Sequence, residues 1–326
     1  MKRHQTTITI AAAVIFLFTL SIILYKLADR YLIEHVEVIV TEKEALTGAA
    51  LEDAVPSDLD KPEDWDSDSL TTASTAVWDD WSYQDERVSI AIEQVQTGSG
   101  ADAITYFVAD VLLKDNASLR TAFAKDSFGR NIIENTSAIA SHKDAIFAIN
   151  GDYYGFRDNG VIIRNGTLYR DEPARDALAL FTDGTLATYD EEEVSSEELL
   201  RSGVAHTFSF GPILVAEGEI AEDLDHVVID TNFGNRSIED ANPRTGIGMI
   251  EPNHYVFVVV DGRSKGYSRG MTLSEFAALF QELGATEAYN LDGGGSSTMY
   301  FNGRVVNNPE GKGEERGVSD IIYISA

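Results

Sequence analysis

Asn290-Leu291-Asp292-Gly293-Gly294-Gly295-Ser296-Ser297-Thr298 runs directly into the apolar Met299-Tyr300-Phe301. Three consecutive glycines after one apolar strand and before the next cost conformational entropy on folding, a cost that close backbone contact justifies. Working outward, short β-like runs divided by turn residues cover Val88 to Val95, Ile104 to Leu113, Ala145 to Ile149, Val161 to Arg164, Ala177 to Phe181, Thr185 to Tyr189, Ile213 to Val215, Tyr255 to Val260 and Ser297 to Phe301. Asn165-Gly166, Asp183-Gly184 and Asn302-Gly303 sit between neighbouring runs as hairpin turns, which favours antiparallel or mixed pairing over a doubly wound parallel sheet. Thr272-Leu273-Ser274-Glu275 is a capping box that predicts a helix carrying Phe276, Leu279, Phe280 and Leu283 on one face and closed by Gly284. A second capped helix is expected over Ser195 to Arg201. The fold class is α+β, a mixed or antiparallel sheet core with few helices.

The N-terminus reads differently. Lys2, Arg3 and His4 precede an uncharged stretch from Gln5 to Tyr25, long enough for one bilayer crossing of roughly 20 residues. A cleaved signal peptide is the competing reading, but Lys26-Leu27-Ala28-Asp29-Arg30 shows no small-x-small site. The expectation is therefore a cytoplasmic stub and transmembrane signal anchor over residues 1–30, preceding an extracellular domain. Between Thr41 and Asp80 twelve acids face only Lys43 and Lys61, the composition of a solvated, self-repelling spacer, so residues 31–80 are expected as an acidic linker. Residues 81–326 form the remaining domain, with the motif-bearing core at about 145–326.

Composition excludes several functions. The 25 Lys and Arg against 54 Asp and Glu give a formal net charge of -29, which repels nucleic acid. There is no Cys, hence no thiolate nucleophile and no disulfide framework. The six His show no ligand spacing for zinc, and no phosphate-loop motif exists. Gly266-Tyr267-Ser268-Arg269-Gly270 matches the nucleophile elbow of serine esterases, but that arrangement needs a later His, and the last one, His254, precedes it.

What remains is a set of Gly-, Arg- and Asp-rich turns at strand ends: Asn150-Gly151-Asp152-Tyr153-Tyr154, Phe210-Gly211-Pro212, Asn242-Pro243-Arg244-Thr245, Asp261-Gly262-Arg263 and the triple-glycine run. Successive N–H groups in such turns form anion-binding nests, and arginine adds planar, bidentate contacts to phosphate oxygens.

These pieces, with Arg175-Asp176-Ala177-Leu178, Gly270-Met271-Thr272 and Glu315-Arg316-Gly317-Val318-Ser319-Asp320, occur in one order over about Ala145 to Ile324, and the chain thereby resembles the phosphodiester glycosidase family. It departs from the family pattern at Asp152, where relatives carry a small or uncharged residue, and at Gly317, where Pro is frequent. The resemblance implies hydrolysis of the glycosidic bond in sugar-1-phosphodiesters of cell-surface glycans or glycopolymers. Arg244 and Arg263 are then expected on the phosphate, with Gly293, Gly294, Gly295 and Ser296 as donors. Asp292 is the first choice for the catalytic carboxylate, Asp261 the second and Asp152 the third. Asn150, Gly151 and Arg316 are expected to position substrate, and Ser297 and Thr298 to belong to the same wall. No cofactor is implied, although acid-rich loops could hold Ca²⁺ through oxygen ligands. The competing class is a membrane-anchored, non-catalytic glycan-binding protein of exopolysaccharide assembly.

Overall fold

A computed structural model describes residues 2–40, 76–114, 117–227, 229 and 238–325, with side chains from Ile15 onward. Its centre is a nine-stranded sheet in the order Glu219–Ile220, Ile213–Ala216, Glu287–Asn290, Arg244–Glu251, His254–Val260, Ile104–Leu113, Val88–Thr97, Ser82–Gln84 and Val77–Trp78. A five-stranded sheet packs against it, ordered Arg304–Val305, Met299–Phe301, Ala145–Asn150, Asp320–Ser325 and Arg120–Phe123. Every pairing within both sheets is antiparallel.

Period-two patterning builds the layers. Along His254–Val260, Tyr255, Phe257 and Val259 enter the core shared with the five-stranded sheet, while Val256, Val258 and Val260 face a helix. Phe257 meets Phe147 of the opposite sheet with ring centroids 5.1 Å apart. That helix, Leu273–Glu282, has the expected capping box, with Thr272 accepting from the Glu275 N–H and the Glu275 side chain returning to the Thr272 N–H. On the far side, the helix Thr136–His142 lays Ile139 and Ala140 over Ala148, Ile321 and Tyr323. The layers therefore run helix, sheet, sheet, helix, and each fully buried Phe, Ile or Val contributes ~1.5–3 kcal/mol.

Arg244–Glu251 is a central strand whose start the sequence reading placed in a turn, and it contains Gly246 and Gly248. Those glycines serve packing: a Cβ at Gly246 would lie 2.8 Å from the Phe280 ring and 2.9 Å from Phe276, and one at Gly248 would lie 2.8 Å from Phe280. The close approach of the capped helix to the sheet depends on them. Asp320–Ser325 is likewise an unanticipated interior strand, and the expected strand at Ser297 begins at Met299. The segment Val88 to Leu113 is integral to the large sheet, since Tyr106 to Leu112 pair with the whole length of His254–Val260.

At the N-terminus, Lys2–Tyr31 is helical. Among the described residues, however, no helix is long and apolar enough to cross a membrane, so the expected transmembrane span finds no support in the structure. Within the stretch expected as an acidic linker, His35–Ile39 pairs with Ser127–Arg130 and Val77–Trp78 joins the large sheet. The acidic residues 41–75 lie outside the described residues.

Register gathers the site. Arg244 pairs with Val260, Gly246 with Asn290, Ile149 with Met299 and Asn150 with Ile321, so strand ends from both sheets meet at one edge of the sandwich.

Candidate active site

At that edge lies a cleft of about 130 Å³, lined by Tyr153, Phe210, Ile238, Asn242, Pro243, Arg244, Arg263, Asn290, Asp292, Gly293, Gly294 and Arg316. It joins the triple-glycine run to segments that are about 20 to 140 residues away in sequence. Asp292 is the sole carboxylate among these lining residues.

Arg244 is buried, and its guanidinium is held by backbone alone: Nε donates to the Met271 carbonyl at 3.0 Å, and Nη2 donates to those of Ile238 at 2.5 Å and Asp240 at 2.8 Å. No carboxylate pairs with it among the described residues. Burial first, then the neighbouring Arg263 cation, pushes its pKa down to about 10. A cation in this position gains from any anion that enters. Arg263 is half exposed; it donates through Nη2 to the Asn242 side chain at 3.0 Å and through Nη1 to Glu310 at 3.0 Å.

Asp292 is 6% exposed. Burial raises its pKa, opposed by the Arg316 charge and a hydrogen bond from Ser296. Arg316 bridges this side of the cleft: Nη2 donates to the Ser296 hydroxyl at 2.6 Å, to the Gly293 carbonyl at 3.3 Å and to the Asp292 carboxylate at 3.4 Å. The Asp292 contact is long and the Arg316 side chain is half exposed, so the carboxylate is steadied by the guanidinium while keeping its place in the cleft.

The glycine run is a tight turn in which the N–H groups of Gly294, Ser296 and Ser297 are spent on the fold. Gly294 donates to the Pro243 carbonyl at 3.0 Å, Ser296 to Gly293 at 3.2 Å and Ser297 to Gly294 at 3.3 Å. The glycines are there for contact. A Cβ at Gly293 would lie 2.8 Å from the Pro243 oxygen, one at Gly294 3.2 Å from the Arg263 guanidinium, and one at Gly295 3.0 Å from the Glu310 carboxylate. The glycines also form a platform that lets two arginines and Pro243 close around Asp292.

Several expected site residues lie outside the cleft. Asp261 is a loop brace: its oxygens accept from Asn307 Nδ2 at 2.9 Å, the Tyr267 hydroxyl at 2.7 Å and the Asn308 N–H at 3.0 Å. Asp152 is buried with both oxygens engaged, one by the Tyr153 N–H at 2.6 Å and the other by the Ser209 N–H at 2.7 Å. It also adjoins the buried pair of Arg164 and Asp320, whose Nη2 to Oδ2 distance is 2.7 Å. Gly151 makes room for that pair, since a Cβ there would sit 2.3 Å from Asp320 Oδ1.

Asn150 pins the site from behind. Its Nδ2 donates to the Asp292 carbonyl at 2.5 Å, and its Oδ1 accepts from the Thr245 hydroxyl at 2.8 Å and the Thr298 N–H at 3.1 Å. Ser297 and Thr298 are buried behind the turn. Ser268 is buried too, donating to the Asp261 carbonyl at 2.5 Å and accepting from the Thr105 N–H at 3.0 Å, which removes it from any nucleophilic role. Among the described residues no group of three or more His, Asp or Glu is arranged to hold a metal ion.

The cleft also contains residues that the sequence reading did not single out as site residues: Asn290, Asn242, Tyr153 and Phe210. The Arg157 guanidinium packs 5.2 Å from the Tyr153 ring centroid and 4.8 Å from that of Phe210, which stiffens this wall. Their one sequence signal is position, each lying within or next to a motif turn.

The model of the phosphodiester glycosidase family matches residues 143–325, which include every lining residue of the cleft. The chain belongs to this family. Among similar proteins, the SPbeta prophage-derived uncharacterized protein YomE of Bacillus subtilis (strain 168) is 33% identical over 207 residues, covering 61% of this chain and 30% of its own length. The N-acetylglucosamine-1-phosphodiester alpha-N-acetylglucosaminidase of Bos taurus is 35% identical over 133 residues, 39% of this chain and 24% of that protein. The chain thus spans less than a third of the length of either relative. In fold it is similar to the zebrafish N-acetylglucosamine-1-phosphodiester alpha-N-acetylglucosaminidase catalytic domain auto-inhibited by its pro-peptide, with a TM-score of 0.57 and 21% identity over 73% of this chain and 83% of that one. A hypothetical protein from Synechocystis gives a TM-score of 0.55 at 14% identity, over 73% of this chain and 62% of that one.

Proposed function

We propose that this chain is a hydrolase that cleaves the bond between the anomeric carbon and the phosphate oxygen of sugar-1-phosphodiesters. The observation that carries the reading is the buried Arg244 guanidinium, paired with no carboxylate among the described residues and sharing one cleft with Asp292. In the reaction the electron pair of the breaking bond leaves with the phosphate, and water supplies a hydroxyl to the anomeric carbon, giving free sugar and a phosphomonoester. A phosphate leaving group needs little protonation, so the main demand is a fixed positive field where its charge develops, together with a carboxylate beside the oxocarbenium-like centre. Arg244 and Arg263 meet the first demand. Asp292 meets the second, and Arg316 with Ser296 orients it.

We place the substrate among cell-envelope glycans or glycopolymers, on the outer side of a membrane that holds the chain by its N-terminal helix. Support for that placement comes from Lys2-Arg3-His4 ahead of the uncharged stretch Gln5 to Tyr25. The test of the activity is release of reducing sugar from a panel of sugar-1-phosphodiesters. Asp292→Asn is expected to lower kcat by ~10²–10³-fold at unchanged or slightly higher thermal stability, because it removes a buried charge. A folded Asp292→Asn protein with parental turnover would dismiss Asp292 as the catalytic group. Binding of the diesters without sugar release by the parent would instead identify a glycan-binding protein.

A further inference from the structure

Three arginines line the cleft, and two of them already face a carboxylate. Arg316 meets Asp292 at 3.4 Å and Arg263 meets Glu310 at 3.0 Å, whereas Arg244 has no carboxylate at ion-pair distance among the described residues. The reaction above gives Glu310 no role. Its carboxylate lies beside the glycine turn: a Cβ at Gly295 would be 3.0 Å from Glu310 Oε1 and 3.3 Å from Arg316 Cδ. Both partners of the Glu310 pair stand at positive φ, Arg263 at 57° and Glu310 at 51°, in the left-handed region that L side chains rarely adopt. Asp261 ties the two together, since it lies two residues before Arg263 and accepts at 3.0 Å from the N–H of Asn308, two residues before Glu310. The fold thus holds strained backbone on both sides to set a carboxylate on one arginine of the cleft. Lys312 reaches the other Glu310 oxygen at 3.6 Å, but from an exposed position where water screens its charge.

We propose that Glu310 is a specificity-determining residue that makes the cleft prefer a phosphodiester to a phosphomonoester. The inference rests on the reading of Arg244 and Arg263 as the phosphate site. With two of its three arginines compensated, the cleft offers one positive charge to a ligand. A phosphodiester has a single ionisable oxygen and carries one negative charge, whereas a phosphomonoester carries about −1.5 to −2 at pH 7. The diester therefore matches the cleft, and the further charge of a monoester is set against Glu310 and Asp292. Because hydrolysis turns the one into the other, the same carboxylate favours departure of the phosphomonoester product.

The experiment measures the dissociation constants of benzyl phosphate and of the diester methyl benzyl phosphate at pH 7.5, by titration calorimetry, for the full chain and for Glu310→Gln. The substitution keeps an acceptor for Arg263 and removes the charge, so it is expected to tighten benzyl phosphate about fivefold more than it tightens the diester. A purely structural role would move both affinities together. Equal ratios of the two constants in parent and folded Glu310→Gln overturn the inference and leave the hydrolase reading to its own test, release of reducing sugar. A shifted ratio in a protein that releases no sugar upholds the inference for the phosphate site and overturns the hydrolase reading. A parent that binds neither compound overturns both. If Glu310→Gln does not fold, the parent alone decides: it is expected to bind the diester at least as tightly as the monoester, and a tighter complex with benzyl phosphate overturns the proposal.

Discussion

Arg164 and Arg244 are both buried arginines at the edge of the sandwich, yet their surroundings differ in one respect. Arg164 is enclosed with two carboxylates, Asp320 at 2.7 Å and Asp152 at 3.8 Å, and donates further to the Ile163 and Thr207 carbonyls. Arg244 is held by three carbonyls and, among the described residues, by no carboxylate. Burial is common to both, so burial does not distinguish a structural arginine from a binding one. Counter-charge does: the first guanidinium is paired within the fold, whereas the second meets no carboxylate at ion-pair distance among the described residues. The same contrast separates Asp152, with both oxygens engaged internally, from Asp292, held loosely at 3.4 Å by a half-exposed arginine.

Substitution of Arg164 gives the largest expected effect on stability. Arg164→Met leaves Asp152 and Asp320 buried without their cation, at a cost of ~3–5 kcal/mol, and is expected to unfold the domain or shift its urea midpoint by most of the transition. A variant as stable as the parent would erase the distinction between the two arginines. Arg244→Met is expected to do the reverse, losing ~1–3 kcal/mol because carbonyls lose donors, and lowering kcat/KM on a sugar-1-phosphodiester by ~10²-fold. Measuring urea midpoint and turnover on the same two preparations sharpens the comparison directly.

A smaller effect is expected from pH. Burial pushes the Asp320 carboxyl up to about 6, despite Arg164, because Asp152 shares the same cation. The folded state then binds this proton more readily than the unfolded chain, so the stability associated with it is fully present below the unfolded value of 3.8 and is lost as pH rises through about 6. Burial moves Asp292 and Asp261 in the same direction. The urea midpoint is therefore expected to be higher at pH 5 than at pH 7.5, and Asp320→Asn should flatten that dependence. A midpoint that falls on acidification over this range would show that the Arg164 pair, and not burial, governs Asp320. The smallest effect is expected from metal removal. Excess EDTA should leave turnover within about twofold, since the positive field of the cleft comes from guanidinium groups; a larger loss would assign part of that field to a bound cation.

Periodic and capped elements were legible in the sequence because their signals are local. The capping box at Thr272 and the Ser195 cap, whose hydroxyl accepts from the Glu198 N–H, appear where the residues place them. The strand Arg244–Glu251 was not legible, because Gly246 and Gly248 lower strand preference locally and are justified only by Phe276 and Phe280 from a helix some 30 residues on. The triple-glycine run marked the right edge of the molecule, and with it Asp292, Arg244, Arg263 and Arg316 as neighbours in one cleft. Residue type and turn context brought the glycines, arginines and aspartates forward, and the family resemblance added Arg316 and the expected roles. Which of three aspartates faces the cleft, and which of two buried arginines has no carboxylate at ion-pair distance among the described residues, were decided by tertiary structure. The reason is physical: hydrogen-bond partners such as Asn307 for Asp261 and Ser209 for Asp152 lie tens of residues away in sequence, and only the folded sheets bring them within 3 Å.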